Sequence, residues 1–146
     1  MRAVLALLYL SFMFLGCKKS EFVNLDITCP ISVNKGDDRS VIGSWKLVKS
    51  ETVFMSKTNE DYSCNDIIYN FKSNGTLNIT SDINNYIGDK QGSYKYSFST
   101  SQLYNGGNQP YTLKINQRAV ACSISQGVMT LDDSPLDGPI IYLVRL

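Results

Sequence analysis

The sequence contains no histidine. Without an imidazole, the Ser-His-Asp and Cys-His arrangements of nucleophilic catalysis cannot be assembled, and zinc sites lose their usual nitrogen ligand. Cys17, Cys29, Cys64 and Cys122 include no closely spaced pair to replace it. No metal site is expected and no cofactor is implied. An excess of charge is also lacking, with 14 basic against 13 acidic side chains in 146 residues and no block of one sign. That excludes the positive field on which nucleic-acid binding depends. Glycine-rich phosphate cradles are absent, and so is helical periodicity of any useful length.

Paired carboxylates are the remaining route to acid–base chemistry, at Asp37-Asp38 and Asp132-Asp133. Both pairs fall in apparent loops, where aspartate serves as a solvated turn former. Asp132, Asp133 and Asp137 could supply oxygen ligands to calcium, but their spacing does not match an EF-hand loop. The expectation is a protein that is not an enzyme.

The chain starts with Met1-Arg2, then an apolar run over residues 3–15 broken only by Tyr9 and Ser11, then Gly16-Cys17. This is the form of a secretion signal. The run falls short of the roughly 20 apolar residues of a spanning helix, and polar Lys18, Lys19 and Ser20 follow it, so a transmembrane segment is the weaker reading. Met13-Phe14-Leu15-Gly16-Cys17 resembles the lipobox of bacterial lipoproteins, with Phe14 where leucine is usual. The resemblance implies a signal peptide over residues 1–16, lipidation of Cys17, and a membrane reached through several acyl chains, which hold far more firmly than one. Lys18, with no aspartate after the cysteine, implies the outer membrane by the sorting rule of such lipoproteins, with the periplasmic and exterior faces both open.

Removal of residues 1–16 leaves 130 residues, the size of one domain, with thirteen basic and thirteen acidic side chains. Three cysteines remain for an oxidising compartment, where disulfides persist. They allow three pairings. Cys64 with Cys122 is the expected bridge, because both lie in the strongly patterned region while Cys29 falls in a tether over residues 17–40. Three free thiols are the alternative. Pro30 and the turn residues 34–38 mark that tether, although residues 21–27 alternate and allow an edge strand or a docking segment.

From residue 41 to 146 the pattern becomes short period-two runs separated by Gly, Asn, Asp and Ser, as in an antiparallel all-β domain. Eight runs are counted: 44–54, 67–72, 76–80, 93–98, 111–116, 119–125, 128–131 and 140–146. In the first, Trp45 and Leu47 share one face while Val48 and Phe54 share the other, which predicts a bulge. Eight strands with mostly hairpin-length links predict an up-and-down barrel, whose closure removes exposed edges. A two-sheet sandwich is the other arrangement.

Gly43-Ser44-Trp45, the run Cys64 to Phe71 with Asn74-Gly75-Thr76 after it, and the terminal Tyr142-Leu143-Val144-Arg145-Leu146 resemble the lipocalin-like, calycin-type domains of small Gram-negative lipoproteins. The resemblance implies that Gly43, Trp45 and Arg145 close one end of the barrel, the tryptophan beneath the arginine in a cation–π pair worth about 0.5–2 kcal/mol. The Thr-Asp motif of many transport-type lipocalins is replaced by Ser125-Gln126-Gly127. Tyr69, Phe71, Tyr94, Tyr96, Phe98 and Tyr111 are the candidate interior. They would enclose a small apolar or amphipathic ligand, or else fill the barrel and leave its surface to engage another envelope protein.

Overall fold

The computed structural model describes residues 25–52, 57–101 and 110–146. The leader, the lipidation site Cys17, Phe54 and most of the turn at 105–110 lie outside the described residues.

The alternating runs form nine strands: β1 (Gly43–Thr52), β2 (Thr58–Asp61), β3 (Ile68–Phe71), β4 (Thr76–Thr80), β5 (Gly92–Thr100), β6 (Tyr111–Ile115), β7 (Arg118–Ser125), β8 (Val128–Asp132) and β9 (Ile140–Arg145). One 3-10 turn, Ser134–Leu136, is the sole helical element among the described residues. From β3 to β9 each strand pairs antiparallel with the next, and β9 returns to β1. The result is a closed eight-stranded barrel, not a sandwich, with one additional strand.

That additional strand is β2. Residues 43–46 of β1 pair with β3, and residues 49–52 of the same edge pair with β2. Together β2 and β3 form one course along β1, interrupted by residues 62–67. Every residue of β2 is exposed, so it carries no burial pattern for a sequence reading to find. The predicted bulge lies in β1, where the register with β9 shifts between Leu47 and Lys49. Val48 is the inserted residue. It moves the following side chains to the opposite parity and itself points out of the barrel, against Val128 and Val144.

Inward residues meet across the axis. Trp45, Leu47, Tyr69, Phe71, Leu77, Leu113, Met129, Leu131 and Leu143 are each at most 1% exposed. Alternating strand directions gather the turns at 72–75 and 126–127 at the end where β1 begins and β9 finishes, here the closed end. Gln126 and Gly127 both have positive φ, as a two-residue type I′ hairpin requires. The links 81–91, 116–117 and 133–139 gather at the other end, the mouth.

Residues 25–31, within the tether expected over residues 17–40, where the alternation at 21–27 allowed a docking segment, cross the outer face of the barrel. Leu25, Ile27, Cys29 and Ile31 are half-buried, while Asp26, Thr28 and Pro30 between them are exposed. The three aliphatic chains pack on Val48, Val128 and Val144, which explains why Val48 and Val144 face outward yet have no exposed surface. Thr28 N donates to Asp61 Oδ2 at 2.6 Å and Cys29 N to Ser63 Oγ at 2.9 Å. These contacts are modest. Three half-buried aliphatic chains contribute about 1 kcal/mol each, whereas fixing the backbone of seven residues costs about 7–14 kcal/mol.

A covalent bond adds to these contacts, and it corrects the expected pairing. Cys29 is bridged to Cys64, with Cα atoms 5.2 Å apart, and Cys122 is free and buried. Cys122 projects into the interior from β7, among the residues of the main core. Cys64 is exposed in the 62–67 loop, with the barrel wall between the two. Cys29 was within reach because its segment is docked. A bridge with a sequence separation of 35 contributes about 3–4 kcal/mol by restricting the unfolded chain.

Two outcomes follow for solution measurements. Peptide mapping of the oxidised protein should find Cys29 linked to Cys64, and burial pushes the remaining Cys122 thiol up to about 12. Cys122 should then be alkylated at pH 8 only after denaturation; rapid labelling of native Cys122 contradicts its placement. At Asp61, burial raises the pKa, but hydrogen bonds from Ser63 and Thr28 outweigh it and hold the carboxyl at about 2, below its ordinary 3.8. Its stabilising contribution is therefore complete above about pH 4 and lost as pH falls through about 2. Asp61→Asn should flatten the acid limb of a stability–pH profile in that window, and an unchanged limb would refute the assignment.

Candidate functional site

Trp45 and Arg145 are direct partners across the β1–β9 pair. The guanidinium carbon lies 4.1 Å from the Trp45 ring centroid, and Arg145 is only 9% exposed. A charge so placed is costly unless most of its donors are met; Arg145 Nε has no hydrogen-bond partner, while both terminal nitrogens do. Nη1 donates to Ile42 O at 3.1 Å, and Nη2 donates to Ser40 O at 2.7 Å and Asp37 O at 2.9 Å. Trp45 Nε1 donates to Val41 O at 2.7 Å. Burial lowers the Arg145 pKa, and the charges of Asp38 and Asp37 oppose that shift.

Residues 34–42 thus form a collar around the two side chains. Asn34 N donates to Arg145 O at 3.0 Å. At Gly36 the backbone has φ of +59°, and a Cβ would stand 2.7 Å from Arg145 Cδ and Nε. Gly43, at φ +126°, also occupies a conformation side-chain-bearing residues rarely adopt, although a Cβ there would meet only Arg145 Nη1 at 3.8 Å. The sequence reading named Gly43, Trp45 and Arg145 but placed residues 34–40 of the collar in a linker.

The six candidate interior aromatics all face inward. Tyr69 and Phe71 are fully packed, while Tyr94, Tyr96, Phe98 and Tyr111 are half-buried against the same core. They contact one another: Phe71 meets Tyr96 edge-on with centroids 5.0 Å apart, and Phe98 meets Tyr111 at 4.7 Å. Their hydroxyls serve the backbone. Tyr94 donates to Lys90 O and Tyr96 to Lys72 O, each at 2.7 Å.

At the mouth, the loop 81–91 folds down onto the core with Ile83, Tyr86 and Ile87. Tyr86 Oη donates to Asp89 O at 2.8 Å, Asp89 N donates to Tyr69 Oη at 3.0 Å, and Ile87 N donates to Tyr62 Oη at 2.9 Å. Gly88 permits the approach, since a Cβ there would lie 2.8 Å from Tyr69 Oη. Burial, with the neighbouring Asp89 charge, pushes the Tyr69 phenol well above its ordinary range. Arg118 Nη2 lies 2.7 Å from each oxygen of Asp89, and Nη1 bonds Asp133 Oδ2. Burial lowers the Arg118 pKa, but the two carboxylates outweigh it and raise it overall. No sequence motif marked this cluster, because Asp89 and Asp133 come from separate links and Arg118 from the start of β7.

Between Arg118 and the side chains of Val120, Leu131 and Ile141 lies a cleft of about 240 Å³. It is smaller than the roughly 300–1,000 Å³ of most small-molecule pockets. Of the candidate carboxylates, Asp132 Oδ1 accepts from Ser134 N, Asp133 is engaged by Arg118, and Asp37 Oδ1 accepts from Arg39 N. Among the described residues, no group of three or more His, Cys, Asp or Glu is placed to hold a metal.

Gly36→Ala tests the collar. The left-handed backbone alone costs an L-residue about 1–2 kcal/mol, and the methyl must also displace Arg145, so a loss of at least about 2 kcal/mol is expected in denaturant unfolding. A loss below about 0.5 kcal/mol would contradict the collar. Comparison of the chain with protein-family models, with curated proteins and with solved structures finds no match.

Proposed function

We propose that this chain is a lipid-anchored, non-catalytic protein of the cell envelope, a lipocalin-like barrel that acts through its outer surface on another envelope protein. The observation that carries this reading is the filled interior. Leu47, Tyr69, Leu77, Leu113 and Leu143 have no exposed surface, and the mouth is covered by a loop bonded to Tyr62 and Tyr69. A barrel of about eight strands has room either for its own side chains or for one small ligand, and here side chains take the space. The anchor rests on the leader over residues 1–16 and on Cys17, and Lys18 favours the outer membrane.

The second reading, a small apolar or amphipathic ligand held among the aromatics, is favoured by the cleft of about 240 Å³ at the mouth, bordered by the inward side chains of Val120, Leu131 and Ile141, and by incomplete burial of four aromatics. Tyr94, Tyr96, Phe98 and Tyr111 are only half-buried. Native mass spectrometry of protein taken from its own membrane separates the two. The surface-acting barrel should carry no small molecule beyond its acyl chains and should cross-link to an envelope protein; a stoichiometric copurifying molecule would reverse the choice. For the anchor, Cys17→Ser should abolish labelling by radioactive palmitate and move the protein to the soluble fraction, and labelling that persists would overturn it.

A further inference from the structure

We infer that residues 25–31 form a strap that thiol–disulfide exchange at Cys29–Cys64 releases from the barrel, uncovering the outward apolar stripe of Val48, Val128 and Val144. The inference does not depend on the lipid anchor or on what the barrel engages.

Three observations bear on it. First, the strap has its own small core, separate from the barrel interior. The three half-buried aliphatic side chains and two backbone donors described above contribute less than the ordering of an extended segment costs. Second, the collar that follows the strap is held independently, through Asn34 N on Arg145 O and the carbonyls of Asp37, Ser40 and Ile42 on the guanidinium. Release therefore stops near residue 33 and leaves the closed end intact. Third, the bridge is reachable from one side. Cys64 is exposed and Cys29 half-buried, while Cys122, inside the barrel, is the only other cysteine among the described residues and cannot exchange with them.

The reductant is a protein or small-molecule dithiol. Its thiolate attacks Cys64 Sγ, the Cys29–Cys64 bond breaks, and Cys29 leaves as a thiolate that takes up a proton. The dithiol's second thiol, as thiolate, then attacks its own sulfur in the mixed disulfide and displaces Cys64 as a thiol. Two electrons pass to the cysteine pair, and the dithiol becomes a disulfide. The strap, no longer tied to Cys64, gains back its backbone freedom.

Hydrogen-exchange mass spectrometry of the full chain, oxidised and after dithiothreitol at neutral pH, tests this. Reduction should raise exchange of the strap amides, Thr28 and Cys29 included, by about 100-fold, the signature of a local unit opening on its own. Peptides from β6 to β9 should keep their protection, and binding of an apolar dye should increase. Cys29→Ser should reproduce the reduced pattern without any reductant. Unchanged strap protection after reduction would show that the contacts alone suffice and overturn the inference. Simultaneous loss of protection in β6 to β9 would also overturn it, because the bridge would then support the whole fold and not a separate strap.

Discussion

A guanidinium inside a barrel persists only where carbonyls and an aromatic face replace the water it has lost. Arg145 meets that condition with the Trp45 ring and three carbonyls from residues 37–42, and much of the structure follows from it. The ring belongs to the first wall strand and the cation to the last, so the pair joins the two strands whose meeting closes the sheet. Because the carbonyls come from the segment before β1, satisfying the cation also orders nine residues that have no regular secondary structure of their own. Glycine at position 36 is the steric counterpart of the same arrangement.

The mouth uses different chemistry for a similar end. There the apolar residues of a connecting loop enter the core, tyrosine hydroxyls satisfy its backbone, and Arg118 ties Asp89 to Asp133 across two links. Asp89 and Asp133 side chains are each 13% exposed, against 41% for Arg118, so the guanidinium keeps more contact with solvent than the two carboxylates it neutralises. With both ends covered and the axis filled, chemistry available to a partner lies on the outer wall, the rims and the strap. This is the physical basis of the surface-acting role proposed above.

Much of the wall was legible in the sequence because half-burial writes itself as alternation. The run 76–80 coincides with β4, Tyr94, Tyr96 and Phe98 share the inward face, and the parity change after Leu47 marks the bulge at Val48. What escaped was whatever depends on the finished barrel. β2 has no buried residue, and Ile83, Tyr86 and Ile87 enter the core from a loop with no period to betray them. Cys29 paired with Cys64 because residues 25–31 dock; the alternation at 21–27 allowed a docking segment but could not show the stripe beneath it or which cysteine it would reach. The closure residues were named by resemblance. Their collar was not, since backbone carbonyls leave no trace in residue identity.

The central claim is energetic coupling between Trp45 and Arg145, and a double-mutant cycle measures it. Trp45→Leu, Arg145→Met and the double variant would be unfolded in urea and followed by far-ultraviolet circular dichroism. The account predicts that the two losses overlap, with a coupling energy of about 1–2 kcal/mol. Losses that simply add, to within about 0.5 kcal/mol, would show that ring and cation stabilise the barrel separately and would contradict the account.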